Sequence, residues 1–229
     1  MRSLLAIADR LETIPQRMGK LGAWLILPLI GIIMFDVLAR KFQFVQQWIM
    51  TTPLYGFMSP TKLQEMEWHL HAALFLLALG YAYTVNAHVR VDLMREKMSD
   101  RGQAWVELLG ICLLMIPYIT VVMYYGWTFV HQAWESNESS DAMTGLSHRW
   151  VIKSFVLIGL ALALMAGIST LIRQVVYLFG PEELRAEVKM NMLTSAVAEH
   201  LPKIDDDDVD NDIAKLEGHY DDPEIARGG

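Results

Sequence analysis

The sequence predicts an all-α integral membrane protein with four transmembrane helices, both termini cytoplasmic, and short interfacial helices beside them. Three observations carry that expectation. Four apolar stretches, Leu21 to Phe35, Leu70 to Val85, Leu108 to Trp127 and Phe155 to Ile172, hold no ionisable residue in mid-span, and a helix needs about 20 such residues to cross a bilayer. Lys and Arg cluster on alternate sides of these stretches: eleven (Arg2, Arg10, Arg17, Lys20, Arg90, Arg95, Lys97, Arg101, Arg173, Arg185, Lys189) against five (Arg40, Lys41, Lys62, Arg149, Lys153). The richer side is the cytoplasmic one. Finally, 53% of the 229 residues are hydrophobic, which leaves little room for a separate soluble core.

Charge divides the chain into parts. Residues 1 to 180 hold 14 Lys and Arg against 12 Asp and Glu, whereas residues 181 to 229 hold 5 against 14, so the net charge of -7 belongs to the tail. The expected organisation is a cytoplasmic amphipathic segment (1–19), a four-helix membrane domain (20–180) and an acidic cytoplasmic tail (181–229), mostly disordered. The single cysteine, Cys112, lies inside the third apolar stretch, which excludes an internal disulfide or a thiolate cluster. Charges of both signs precede the first stretch and no small-residue cleavage site follows it, so it reads as a retained helix and not a signal peptide.

In the N-terminal segment, Leu4, Ile7, Ala8, Leu11 and Ile14 recur at helical spacing away from Arg10 and Arg17. That pattern suits a helix on the inner leaflet, or equally an extension of the first span. At the end of that span Asp36 and Arg40 stand four apart, close enough to pair on one helix face. Residues 42 to 60 form a long outer connection rich in Phe, Trp, Tyr and Met. Its two readings are an interfacial aromatic belt and a docking surface for an external protein. Ser59-Pro60 reads as the N-cap and first position of the second helix.

That helix opens with a polar and aromatic collar of Gln64, Glu65, Glu67, Trp68, His69 and His71. Glu65 with His69, and Glu67 with His71, repeat one spacing on two faces, which favours an interfacial collar over a metal site. The inner connection from His88 to Arg101 is basic enough to meet anionic lipid. Pro117 predicts a kink in the third span, and the outer loop from His131 to Arg149 is polar and short. In the fourth span Gly159, Ala163 and Gly167 give one ridge with almost no side chain, suited to close helix packing. Gly180-Pro181 ends it. Beyond, a charged tail with Asp205 to Asp208 consecutive is too polar to order itself. Its acids lack the spaced ligands and glycine of a calcium loop.

No phosphate-cradling glycine loop and no nucleophile with a matching base stands in the sequence, so an enzyme is not expected. Secondary transporters place their sites at interrupted helices of repeated halves, and four uninterrupted spans without a repeat do not offer one. The transport path is therefore expected in a partner, and no metal or cofactor is expected in this chain.

Three segments carry a resemblance. Gln64-Glu65-Met66-Glu67-Trp68 at the start of the second helix, Ala87-His88-Val89-Arg90-Val91-Asp92 after it, and Arg149-Trp150-Val151-Ile152-Lys153-Ser154 entering the fourth resemble the small membrane subunit (Q-type, DctQ-like) of tripartite ATP-independent periplasmic (TRAP) transporters. Order, spacing and helix layout agree over about residues 15 to 180; the His-Val-Arg-Val-Asp block is the most specific piece. The resemblance implies a bacterial inner-membrane subunit packed against the large membrane subunit's scaffold. That partner holds the substrate and sodium sites, and a periplasmic binding protein delivers the organic acid. By the same match Glu65, Glu67, Trp68, His88, Arg90, Asp92, Arg149 and Lys153 become candidates for structural or subunit contacts, and none a substrate ligand. Arg149 and Lys153 are alternatively a basic face for the binding protein. Two rival readings are a four-helix membrane haem protein (cytochrome b-like), using His69, His71, His131 and His148, and a stand-alone assembly factor.

Overall fold

A computed structural model describes residues 1–85, 87, 98–186 and 188, and all regular structure among them is helical. The elements are α1 (Arg2–Ala23), α2 (Ile26–Lys41), α3 (Gln43–Thr51), α4 (Tyr55–Met58), α5 (Pro60–Thr84), α6 (Asp100–Gly110), a π-helical turn (Ile111–Met115), α7 (Ile116–Glu135) and α8 (Trp150–Phe179). The described residues belong to one compact unit, residues 1–191. His88, Arg90 and Asp92, and the tail from residue 189 onward, lie outside the described residues.

Three helical stretches are long and apolar enough to cross a membrane: Arg2–Lys41, Asp100–Glu135 and Trp150–Phe179. The 25-residue α5 is long enough at about 1.5 Å per residue. Its first half, however, carries Glu65, Glu67, His69 and His71, which lower its hydropathy. Instead α5 occupies the middle of the bundle, packed against α1, α2 and α8.

Close approach of α5 and α8 explains that place. A Cβ on Gly159 would lie 2.7 Å from the Leu76 carbonyl oxygen, and one on Gly80 would lie 2.8 Å from the Leu162 backbone. Each glycine thus receives the other helix's backbone, the packing small residues permit in membranes. Gly22 of α1 receives the Leu77 side chain, whose Cβ would lie 2.8 Å from an added Cβ. Ala163 and Gly167 continue the buried face of α8, with the Met115 thioether over Gly167. Facing outward, a broad apolar surface remains, from Trp24, Leu27, Ile30 and Met34 to Leu113, Leu114 and Tyr118. That is the surface hydrocarbon would cover.

Two spans are less regular than the sequence suggests, and each irregularity precedes a proline. α1 gives way to α2 through one tight turn at Trp24–Leu25, where the Trp24 and Leu25 amides bond three residues back, to Leu21 and Gly22. Pro28 follows, and its missing amide cannot bond back to Trp24. The π-helical turn at 111–115 comes just before Pro117, widening the helix where the ring would meet the preceding carbonyl. Helix α1 itself runs unbroken from Arg2 to Ala23 and packs on α5 and α8. Ser169 donates to the Ala8 carbonyl (2.9 Å), and Arg173 pairs with Asp9 (2.8 Å) and Glu12 (2.5 Å). The amphipathic segment and the first span are therefore one structural piece.

Other boundaries follow local chemistry. Ser59 Oγ accepts from the Lys62 amide (3.4 Å), with Pro60 opening α5. Ser99 caps α6 through the Gly102 amide (3.3 Å). Gly180 ends α8 in an extended conformation, φ -80° and ψ 167°, and not the left-handed one, because the residue before a proline is held away from helical geometry.

Candidate functional site: an ionic cluster at one end of the bundle

Glu65 stands on the first turns of α5, before the apolar stretch that begins at Leu70. Its residue is buried, at 8% exposure. A buried carboxylate is costly unless its oxygens are satisfied, and here they are. Oε2 accepts from the Leu146 amide at 2.5 Å. Oε1 accepts from the Ser140 hydroxyl and from Arg149 Nη2, the latter at 3.4 Å. The side chain thus joins α5 to the loop between α7 and α8.

The loop is shaped to reach it. After α7 ends at Glu135, Asn137 takes a left-handed φ of 47°, and His148 does so again at 63° before α8. Asparagine and histidine are among the non-glycine residues that enter that region most readily. Between them the Ser140 amide bonds to Leu146 O (3.0 Å), Gly145 to Ala142 O (3.0 Å) and Arg149 to Glu138 O (3.1 Å). Ser59 Oγ adds a bond to Thr144 O (3.3 Å). Gly145 packs so closely that a Cβ would overlap Ser140 and lie 2.9 Å from Glu65 Oε1.

Arg149 and Lys153 complete the cluster from α8 and its N-cap. Arg149 also lies over the Trp68 ring (6.0 Å), and Trp68 stacks on His69 (3.9 Å). Lys153 pairs with Glu138 and sits 3.9 Å from the Phe129 ring centroid. Burial pushes the Glu65 carboxyl up, but the Leu146 amide, the Ser140 hydroxyl and the Arg149 charge together hold it below its ordinary value. Glu67 behaves oppositely: burial and the Asp36 charge push it up, against a smaller pull from Arg40. Asp36 and Arg40 pair at 2.9 Å.

Of the sequence candidates, Glu65, Trp68, Arg149 and Lys153 come together, while Glu67 stands apart near Asp36 and Arg40. Gly159, Ala163 and Gly167 line the packed face of α8. Sequence reasoning missed Ser140, Glu138, Gly145 and the Leu146 amide. The Ser-Ser-Asp and Thr-Gly pattern marks a turn-rich loop, but nothing local says which helix it meets.

Three histidines are engaged locally. His69 Nδ1 bonds to Glu65 O (2.6 Å), His131 faces Glu135 (3.5 Å) and His148 faces Ser147 (2.9 Å). Among the described residues no three His, Cys, Asp or Glu side chains converge as metal ligands. The cluster's chemistry is thus that of a structural clamp: one buried anion orders a loop and fixes the start of α8.

Comparison with known families gives a match to "Tripartite ATP-independent periplasmic transporters, DctQ component" over residues 29–176. No curated protein and no solved structure matches the chain.

Proposed function

The chain belongs to the DctQ family of tripartite ATP-independent periplasmic transporter components, and from that membership we propose how this small membrane subunit serves its transporter. It lies in the bacterial inner membrane with four spans, α5 being the fourth candidate, and both termini in the cytoplasm. It packs against the scaffold of the large membrane subunit. Through that contact it supports sodium-coupled uptake of an organic acid brought by a periplasmic binding protein. Sodium and substrate are bound by the partner subunit.

One observation supports this reading most: the described charged clusters sit at the two ends of the bundle and the apolar helices run between them. Glu65, Glu138, Arg149 and Lys153 gather at one end, Asp36, Arg40 and Glu67 stand on the last turns of α2 and the first turns of α5, and Asp9, Glu12 and Arg173 gather at the other end. A substrate or ion path needs polar groups at mid-membrane depth, and a scaffold does not. Helix α5 packs against α1, α2 and α8 and buries Leu63, Glu65, Ala73, Leu77 and Gly80, which supports reading it as a spanning helix of modest hydropathy. Arg149 and Lys153 are engaged with Glu65 and Glu138, so their role is to order the outer loop and not to present free charge to the binding protein.

The test is transport by proteoliposomes holding the large subunit, supplied with binding protein and a sodium gradient. Uptake should require this chain. Full uptake without it would remove the accessory role.

A further inference from the structure

Helix α3 (Gln43–Thr51) begins two residues after α2 ends, so it lies at the depth where the first span leaves the hydrocarbon. Its inner side is anchored. Ile49 is buried and, with Gln46, lines a small crevice formed with Asp36 and Ala39 of α2 and Leu63 of α5. Its outer side is not covered by the described residues. Phe44 and Trp48, one helical turn apart, are 71% and 57% exposed. Phe42, 44% exposed, meets the Phe44 ring at 5.8 Å and extends that surface, while Met50 and Tyr55 edge the crevice. Single exposed apolar residues are ordinary, but a contiguous patch marks an interaction surface.

The charge around the patch indicates its occupant. From Val37 to Gln64 the sequence contains no Asp or Glu, while Arg40, Lys41 and Lys62 flank the helix, and Lys41 is exposed. Aromatic rings beside the exposed Lys41 suit a phospholipid headgroup layer, where the rings reach the acyl boundary and lysine meets phosphate. Arg40 and Lys62 are partly committed, to Asp36 and to the Gly56 carbonyl, which leaves Lys41 as the phosphate contact.

We propose that α3 is an outer-leaflet lipid anchor, with Phe44 and Trp48 inserted in the headgroup layer and Lys41 facing phosphate, pinning the outer ends of α2 and α5 at the membrane surface. The outer-leaflet assignment rests on the topology proposed above; insertion of the patch in lipid does not.

The test uses the full chain in phospholipid nanodiscs, alone and bound to its large subunit. Cys112 is replaced by Ala, and single cysteines carrying a bimane fluorophore are placed by Phe44→Cys, Trp48→Cys and, as a water-exposed control, Met143→Cys. Quenching by phosphatidylcholine spin-labelled near the headgroup is compared with quenching by aqueous iodide. Positions 44 and 48 should favour the shallow lipid quencher over iodide, and position 143 the reverse, each by about twofold or more, as interfacial rings require. Should either aromatic position not tolerate cysteine, Gln47 and Thr51 beside them report the same depth. Iodide access at 44 and 48 equal to that at 143 would overturn the proposal. So would lipid quenching that vanishes when the large subunit is bound, since a protein face would then be the occupant. Purification without the large subunit would contradict the transporter reading while leaving the depth measurement intact.

Discussion

Replacing Glu65 by alanine removes the one anion on which the α7–α8 loop is built. Three donors lose their acceptor: the Leu146 amide at 2.5 Å, the Ser140 hydroxyl and the Arg149 guanidinium. Hydrogen bonds to a charged group contribute about 1.5–3 kcal/mol each, and removing one partner of a buried pair costs about 3–5 kcal/mol. Arg149 is 23% exposed at its side chain and regains some hydration, so a loss of about 3 kcal/mol is expected for Glu65→Ala. At roughly 2–4 °C per kcal/mol for a chain of this size, the midpoint should fall by about 6–12 °C. Glu65→Gln, which keeps an acceptor but loses the charge, should lose about 1 kcal/mol.

The pH dependence has a definite sign. Because the folded carboxyl titrates below its ordinary value, its contribution is full above the ordinary carboxylate range. It is lost as pH falls through the lowered folded value. Thermal unfolding in mild detergent, followed by tryptophan fluorescence at neutral and acidic pH, reads both effects, and limited proteolysis within residues 136–148 reads the loop. A Glu65→Ala protein with the parent midpoint and a protected loop would refute this reasoning.

Other perturbations follow from the same geometry. Gly159→Ala places a methyl 2.7 Å from the Leu76 carbonyl and should cost about 1–3 kcal/mol by forcing α5 and α8 apart. Gly31→Ala, with nothing within 4 Å, should leave the midpoint unchanged or raise it. The same fluorescence measurement separates them. Arg173→Ala releases Asp9 and Glu12, of which Asp9 is well exposed and Glu12 is not, and should speed amide exchange over residues 2–14 and cost about 1–3 kcal/mol, between the exposed and buried limits. A double-mutant cycle on Lys153 and Glu138, which are 16% and 33% exposed, should give a coupling of about 0.5–1 kcal/mol.

The sequence made the periodic features readable. Apolar length marked the first, third and fourth spans, Ser59-Pro60 marked the start of α5, and the i,i+4 pair Asp36–Arg40 was visible because a helix brings such residues together. Gly159 could be read as a packing position, but not its partner, since Leu76 lies 83 residues earlier in the chain. The same distance hid the clamp. Glu65 and His69 suggested a pair by spacing, yet the carboxylate turns to Ser140, Leu146 and Arg149, while His69 takes the Glu65 carbonyl. Such tertiary choices depend on which loop the bundle brings overhead, and no local propensity encodes that. The π-helical turn was likewise indicated only as a kink at Pro117, because a proline shows where a backbone bond is missing but not how the helix adjusts.

The central claim is that this chain works as the accessory membrane subunit of a larger transporter. It is tested most directly by affinity purification of the full chain from its native membrane in mild detergent, with mass spectrometry of what remains bound. A large multi-span permease recovered in near-equal amount is the predicted result. Recovery of the chain alone, even after gentle solubilisation and crosslinking, would contradict it.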